Sequence, residues 1–310
     1  MKKMKFLSLI LAVIFGSYLL SGCDKDKIDT DFDSSSMQQL AQDEVAIENY
    51  SNEALDDANE VLSKGGGLKS VSSMPCNMVF DSILTGDTMT YTLTFNGLNC
   101  NGNKFKTGVI KLKRIINIPW SQAGNSVSMQ FINFKVTKVS NQKWIMLNGT
   151  KTWTNLSGGL IKNLGDSLTT SVTHTITGSI QAAFNDTTIR TWNIARKKTF
   201  TGTYPGALIL TIEGIGNSNG YSNLATWGLN RKNENFYTQI NQAVVLKQVC
   251  GWDPVSGIKT HQIPADNKSA TTTFGFDSNN QPVTSGNCPD RYKVDWVKGS
   301  LSGTFFNDLH

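Results

Sequence analysis

Carboxylates and histidines are scarce over most of this chain of 310 residues, and this scarcity narrows the chemistry open to it. Only 17% of the residues are charged, and three are histidine. Beyond residue 65 the glutamates are Glu213 and Glu234. General acid–base and nucleophilic catalysis relies mainly on histidine or on paired carboxylates, so this composition argues against most hydrolytic mechanisms.

Motifs that define common catalytic and metal sites are also missing from the sequence. The chain contains no Gly-x-Ser-x-Gly elbow, no P-loop, no metalloprotease helix and no EF-hand spacing. It has no Cys-x-x-Cys pair of the kind that holds zinc, and its short basic clusters lack the interleaved aromatics of a nucleic-acid surface. We therefore expect no catalytic residues, no metal, no cofactor and no nucleic-acid partner.

Long apolar runs are limited to residues 6–20, which follow a start rich in lysine. This run is shorter than the ~20 residues that a membrane span needs. A positively charged start, a short apolar core and small residues before a cleavage point are typical of a secretory signal peptide. We predict that residues 1–22 form such a signal and are removed on export.

The four residues Leu20-Ser21-Gly22-Cys23 close this signal. They resemble the lipobox of bacterial lipoproteins, which implies that Cys23 is lipidated and becomes the first residue of the mature chain. Two or more acyl chains anchor a protein stably, so the resemblance predicts attachment to the outer membrane, on its periplasmic face or at the cell surface. A soluble secreted protein cut near the same place is the alternative.

Acidic and basic residues are separated along the chain. Residues 24–64 contain 12 acidic residues and three lysines, a net charge of −9. Residues 65–310 contain 23 basic and 12 acidic residues, a net charge of +11. The basic body could attract polyanions such as acidic polysaccharide, although a solvated surface partly balanced by the acidic leader is the simpler interpretation.

The acidic leader divides into a tether and a helix. Residues 23–35 are polar and acidic, which predicts a flexible tether. Over residues 36–64, Ser36 and Gln39 form a capping box, and three glycines after Lys64 end the pattern. The helix must bury its apolar stripe on the β body or on a partner. The residues of this stripe are Leu40, Ile47, Ala54, Leu55, Ala58, Val61 and Leu62.

Residues 65–310 show the two-residue period of β-strands, separated by turn clusters and without intervening helices. Apolar residues alternate from Val127 to Phe131 and continue from Phe134 one place out of step, which predicts a β-bulge at residues 132–133. We predict an all-β fold: an antiparallel β-sandwich or an elongated β-sheet body, with an N-terminal helix after the lipoprotein signal peptide.

Apart from Cys23, four cysteines remain, and an even number in an exported protein suggests disulfides. Three pairings are possible. Two segments echo each other, because a Thr-rich strand, a turn with a cysteine and a basic-aromatic-lysine step occur both at 92–106 and at 272–293. One earlier cysteine precedes each copy, so we pair the cysteines within copies. The predicted disulfides are Cys76–Cys100 and Cys250–Cys288.

The echo predicts that the β body, residues 65–310, consists of two related halves with a boundary near residues 160–165. The combination of a lipobox, an acidic helical leader and paired cysteine-containing β-hairpin units resembles a group of β-rich bacterial outer-membrane lipoproteins. This group has no assigned activity. The resemblance therefore implies a location and a fold class, and it carries over no catalytic residues.

Tryptophans are the remaining candidates for ligand binding, because aromatic rings can stack on sugars. Trp153 and Trp192 lie beside basic residues and are expected at the surface, and with Trp252 they are the candidate ligand-binding residues. The leading hypothesis is a non-enzymatic binding or surface-structural module for glycan or another envelope component. The alternatives are a polysaccharide hydrolase with Asp253 or Glu213 as its acid, and an adhesin or assembly subunit that adds strands at an open sheet edge.

Overall fold

The computed structural model describes residues 39–44, 46–51, 53–54, 76–284 and 286–309. The predicted signal peptide, the tether and the lipidation site Cys23 lie outside these residues. The described residues before position 55 are helical, and we call this helix α1. No helix in the described part of the chain is both long and apolar enough to cross a membrane.

The rest of the described chain is mainly β-strand, which confirms the all-β prediction. The strands are β1 (Met78–Thr85), β2 (Thr88–Leu98), β3 (Lys104–Ile115), β4 (Asn125–Lys138), β5 (Trp144–Asn155), β6 (Val172–Phe184), β7 (Ile189–Thr203), β8 (Ala207–Gly214), β9 (Gly216–Ser218), β10 (Tyr221–Leu229), β11 (Asn235–Lys247), β12 (Asp253–Ile263), β13 (Lys268–Phe276), β14 (Arg291–Lys298) and β15 (Leu301–Asp308). Short 3-10 helices span Ile161–Asn163, Gln248–Cys250 and Pro264–Asp266.

These strands hydrogen-bond into one antiparallel sheet. Neighbours follow chain order from β1 to β7 and again from β10 to β15. Between β7 and β11, the strands β8 and β10 share the place of one strand, because each pairs with a different part of both neighbours. Gly214 ends β8 where a Cβ would collide with the carbonyl oxygen of Asn223, so glycine permits this close approach.

A β-bulge interrupts β4 at the predicted position. Phe131 pairs with Gly149 and Phe134 with Leu147, so the register between β4 and β5 shifts across residues 132–133. Asn133 has a φ of 48°, and its backbone N–H donates a 2.7 Å hydrogen bond to Asn148 Oδ1. The extra residue returns Phe134 to the buried face, as the sequence pattern required.

The sheet curves around α1. Glu44 of α1 reaches Lys259 on β12, and Glu53 reaches Lys104 on β3. These glutamates are about 14 Å apart along the helix axis, whereas β3 and β12 would be about 34 Å apart in a flat sheet. The sheet must therefore wrap the helix, and we call the enclosed face the inner face and the opposite face the outer face.

The main hydrophobic core lies between α1 and the inner face. It contains buried residues of strands from β2 to β12, among them Leu93, Phe131, Trp192 and Phe236. The described members of the predicted apolar stripe are buried in it, so the stripe packs on the β body. From α1 the core takes Leu40, Ile47, Tyr50 and Ala54.

Two disulfides form with the predicted pairing. Cys76–Cys100 joins the residues just outside β1 and β2, and Cys250–Cys288 joins the end of a 3-10 helix to the loop between β13 and β14. Each bond therefore closes one of the two echoed segments. A disulfide of this loop length stabilises a fold by about 3–4 kcal/mol, chiefly by restricting the unfolded chain.

Candidate functional site

The expected surface exposure of Trp153 and Trp192 is wrong. Their exposed fractions are 9% and 0%, and both rings belong to the core beneath α1. The Nζ atom of Lys151 lies 5.8 Å from the Trp153 ring centroid and 5.0 Å from that of Trp192. The basic residues beside these tryptophans therefore do not indicate an exposed surface, because Lys151 and Arg190 face the acidic helix α1.

The other predicted site residues are spread over the second half of the sheet. Trp252 is partly buried and packs against the two smaller hydrophobic cores. Asp253 opens β12 opposite Lys247 of β11, and Glu213 Oε2 on β8 lies 2.7 Å from Lys197 Nζ. Within the described residues, no cluster of three or more His, Cys, Asp or Glu could hold a metal ion.

Four carboxylates of α1 meet cationic side chains of the inner face, and we call this interface the charged seam. Asp43 accepts hydrogen bonds of 2.6 and 2.8 Å from the guanidinium of Arg231. Glu44 lies 3.3 Å from Arg196 and accepts a 2.9 Å hydrogen bond from Thr226 Oγ1. The carboxylates of the seam are Asp43, Glu44, Glu48 and Glu53, and its cations are Lys104, Lys106, Lys151, Arg190, Arg196, Arg231 and Lys259.

Burial and neighbouring charge shift the pKa values within the charged seam. Burial by itself raises the pKa of Glu44, but the surrounding positive charges, led by Lys259, outweigh it and hold this pKa well below its usual value. Burial lowers the pKa of Lys151 to about 8. Burial also lowers the pKa of His261 to about 3, so the ring is neutral at pH 7, with its Nδ1 atom 2.9 Å from Thr238 Oγ1.

Cations outnumber carboxylates in the charged seam. Arg190 is fully buried, donates a 3.0 Å hydrogen bond to the carbonyl oxygen of Leu40 and lies over the ring of Phe236. Its Nε and Nη2 atoms have no hydrogen-bond partner in the described part of the chain. Because a buried charge is costly without a partner, the acidic face of α1 is required to close the inner face of this basic sheet.

The outer face holds an open groove of about 370 Å³ at one end of the first strands. We call it the Trp144 groove. Leu98, Phe105 and Val139 expose 41%, 40% and 42% of their surface there and form an exposed apolar patch. The lining residues are Leu98, Phe105, Lys135, Thr137, Val139, Gln142 and Trp144.

The register of the sheet arranges these side chains in a row. Leu98 of β2 is directly opposite Phe105 of β3, Phe105 is opposite Thr137 of β4, and Thr137 is opposite Trp144 of β5. Directly opposite residues of antiparallel strands share a face, so all four point outward. The rings of Phe105 and Trp144 are thus two strand spacings, or about 10 Å, apart across the strands.

Lys135 belongs to the same face, because it is two residues from Thr137 on β4. Its Nζ atom lies 4.5 Å from the centroid of the Trp144 ring. The groove therefore combines two aromatic rings, a cation, a hydroxyl at Thr137 and an amide at Gln142. Ligand sites of this kind pair apolar ring faces with a few polar groups that set orientation.

Turns on both sides hold the groove in shape. The Asn99 side chain accepts hydrogen bonds of 3.1 and 3.0 Å from the backbone N–H groups of Asn103 and Lys104, and the Val139 N–H donates to the Asn103 carbonyl oxygen. The disulfide at Cys100 adjoins this turn. Such restraints limit the conformational freedom that a ligand would otherwise have to remove.

Sequence reasoning missed this groove. Trp144 has a basic residue on its N-terminal side, as Trp153 has two places earlier, so the local sequence does not separate an outward from an inward tryptophan. The usable signal was the polar segment at residues 140–143, which forms the turn between β4 and β5. It brings Thr137 and Trp144 opposite each other once the strands pair.

Comparison of the chain with protein-family models, curated proteins and solved structures found no match. Its function is therefore inferred from its own residues.

Proposed function

We propose that this chain is a lipid-anchored outer-membrane protein that binds glycan in the Trp144 groove without catalysing a reaction. The observation that carries the proposal is the outward row of Leu98, Phe105, Thr137 and Trp144, held by the register of four strands. The apolar faces of sugar rings stack on aromatic side chains, while their hydroxyl groups need hydrogen-bonding partners beside the rings.

The form of the groove supports binding rather than hydrolysis. A glycosidase needs two carboxyl groups about 5–10 Å apart on either side of the bond that it cleaves. In the described part of the chain, no aspartate or glutamate lines the Trp144 groove. Glu213, a candidate acid from the sequence, is engaged by Lys197 on another part of the sheet.

Binding of the purified full chain to a panel of polysaccharides tests the proposal. We expect Trp144→Ala to weaken binding about 10- to 30-fold, the loss typical of an aromatic anchor. The matched control is Ile83→Ala, because Ile83 is 61% exposed on β1 and does not line the groove. Equal affinities for both variants, or no saturable binding to any polysaccharide, would contradict the proposal.

Attachment through Cys23 has a separate test. Mass spectrometry of the mature N-terminal peptide should show an acylated cysteine, and Cys23→Ala should move the protein out of the membrane fraction. An unmodified N-terminus that begins at Met1 would remove the basis for the envelope location.

A second candidate function, assembly by strand addition, is favoured by the edges of the sheet. Among the described strands, β1 and β15 each pair on one side only. Val79, Ile83 and Leu84 of β1 are 70%, 61% and 53% exposed, and long exposed edges of this kind invite pairing with another chain. Filaments or oligomers that disappear in Ile83→Lys would support assembly, whereas a monomer at every concentration would count against it.

A further inference from the structure

We infer that the glycan recognised by the Trp144 groove is anionic, bearing carboxylate, sulfate or phosphate groups. This inference rests on the proposed function and names the chemical class of its ligand. One long stretch of the sequence carries charges of one sign only. Residues 88–165 contain ten lysines and arginines and no aspartate or glutamate.

The acidic helix neutralises only the cations of this stretch that face inward. Glu53 lies 2.5 Å from Lys104 and 3.0 Å from Lys106, and Glu48 lies 3.5 Å from Lys151. The charged seam therefore accounts for three of the ten positive charges. The carboxylates of α1 are on the opposite side of the sheet from the Trp144 groove.

The cation at the groove has no such partner. Lys135 lines it, whereas Lys138 and Lys143 at the turn between β4 and β5 alternate with Thr137 and Trp144 and so do not share its face. Within the described residues, none of these three lysines forms an ion pair with a carboxylate. Lysines elsewhere on the sheet do form such pairs, as Lys197 does with Glu213 and Lys293 with Asp295.

Further cations extend the positive surface away from the groove. Lys111 pairs with Gln130 and Lys113 with Ser128, positions that alternate with the buried Ile110 and Leu112. Both lysines consequently lie on the outer face. A polymer that places one ring in the groove can continue along β3 and meet them, so the surface suits a chain with repeated negative charges better than a single small anion.

The ring-lined groove favours a polysaccharide over a lipid surface. An anionic membrane attracts basic residues without requiring a cavity, and its attraction does not depend on one tryptophan. Here an unpaired lysine, Lys135, lines a groove that contains Trp144 and Phe105. An acidic sugar offers both a ring for the aromatic row and a negative charge for Lys135.

Binding of the purified full chain to polygalacturonic acid and to its fully methyl-esterified form tests the inference, since the two polymers share a backbone and differ in charge. We expect tighter binding to the acid, and binding that weakens as salt rises, because exposed charges are screened within about 8 Å at physiological ionic strength. A groove variant that replaces Lys135 together with Lys111 and Lys113 of the adjoining outer face, as Lys111→Gln, Lys113→Gln and Lys135→Gln, should weaken binding to the acid about tenfold and leave binding to the ester unchanged.

The matched control changes the net charge equally but away from the groove. It combines Lys162→Gln, Lys197→Gln and Lys232→Gln, and it should bind the acid as the parent chain does. If the groove variant and the control lose affinity equally, the attraction is a property of total charge and the inference is wrong.

The remaining outcomes distinguish a failure of the anionic assignment from a failure of glycan binding in the Trp144 groove. Equal binding of both polymers, lost in Trp144→Ala, overturns the anionic assignment and keeps a glycan-binding groove. Binding of neither polymer, nor of any other polysaccharide, overturns both. Preferential binding to anionic lipid vesicles or to single-stranded oligonucleotide, unaffected by Trp144→Ala, also overturns both.

Discussion

Both faces of the sheet carry lysines, but those on the inner face beneath α1 have carboxylate partners and those on the outer face of β3 and β4 do not. On the inner face, Lys106 and Lys151 are 5% and 1% exposed and each meets a carboxylate of α1. On the outer face, Lys111 and Lys135 have no carboxylate partner in the described part of the chain. The inner charges are thus part of what holds the fold, whereas the outer charges remain available to a ligand.

The largest expected effect is the removal of a carboxylate from the charged seam. Glu44→Ala removes the carboxylate nearest to Lys259 and one of the two that meet Arg196, and the loss of a buried partner typically costs about 3–5 kcal/mol. Denaturant unfolding measures this directly.

The control for this prediction is Glu213→Ala, which removes a partly exposed pair with Lys197 and should cost less than about 1 kcal/mol. A Glu44→Ala variant as stable as the control would mean that the inner face does not depend on α1 for charge balance.

Loss of a disulfide should have the next largest effect on stability. Only one of the two disulfides should also affect binding. Replacing both cysteines of either pair by serine should lower the free energy of unfolding by about 3–4 kcal/mol. Only the Cys76–Cys100 pair adjoins the Trp144 groove, so only its loss should also weaken polysaccharide binding. Equal binding by the two double variants would show that the groove does not need this restraint.

Acidification should destabilise the fold because buried groups, chiefly His261 and Glu44, have lowered pKa values. The pKa of His261 is about 3 in the folded chain, against 6.5 when it is unfolded, so the unfolded state binds more protons between these values and stability falls as pH falls below 6.5. Burial lowers the pKa of His174 to about 4, which acts in the same direction. The depressed pKa of Glu44 adds to the loss below about pH 4.5.

Thermal unfolding between pH 8 and pH 4 measures this dependence. His261 alone should remove about 2 kcal/mol between pH 8 and pH 5. In His261→Gln the slope between pH 6.5 and pH 5 should become shallower. An unchanged slope would assign the acid sensitivity to other groups.

The smallest expected effect on stability comes from the outer face. Lys135→Gln should change the free energy of unfolding by less than about 0.5 kcal/mol, because the side chain has no ion pair to lose. The same variant should weaken the binding of an acidic polysaccharide. A large loss of stability would mean that the outer lysines also support the fold, and the contrast between the two faces would disappear.

Local sequence patterns predicted much of the fold. The alternation from Val127 to Phe134 placed the bulge of β4, and the echo of two cysteine-containing segments led to both disulfides. The apolar stripe of the leader predicted that α1 packs against another surface. These features depend on residues close in the chain or on a repeated unit, so they could be predicted before the strands were assembled.

The candidate site could not be predicted in this way. The rings of Phe105 and Trp144 are 39 positions apart in the chain and share a groove only because two strand registers align them. Trp192 follows Arg190 by two places, yet both are enclosed beneath α1. The composition and the residues next to each tryptophan do not indicate which distant residues the paired strands bring beside it.

The sequence alone determined that the strands have two chemically different faces, because a period of two separates odd from even residues. It also determined that an acidic helix and a basic body would attract one another. Only the tertiary structure decided which face the helix covers. That choice makes Lys151 a buried partner of Glu48 and leaves Lys135 beside an open tryptophan, because a short helix can neutralise only the side of the sheet that curves around it.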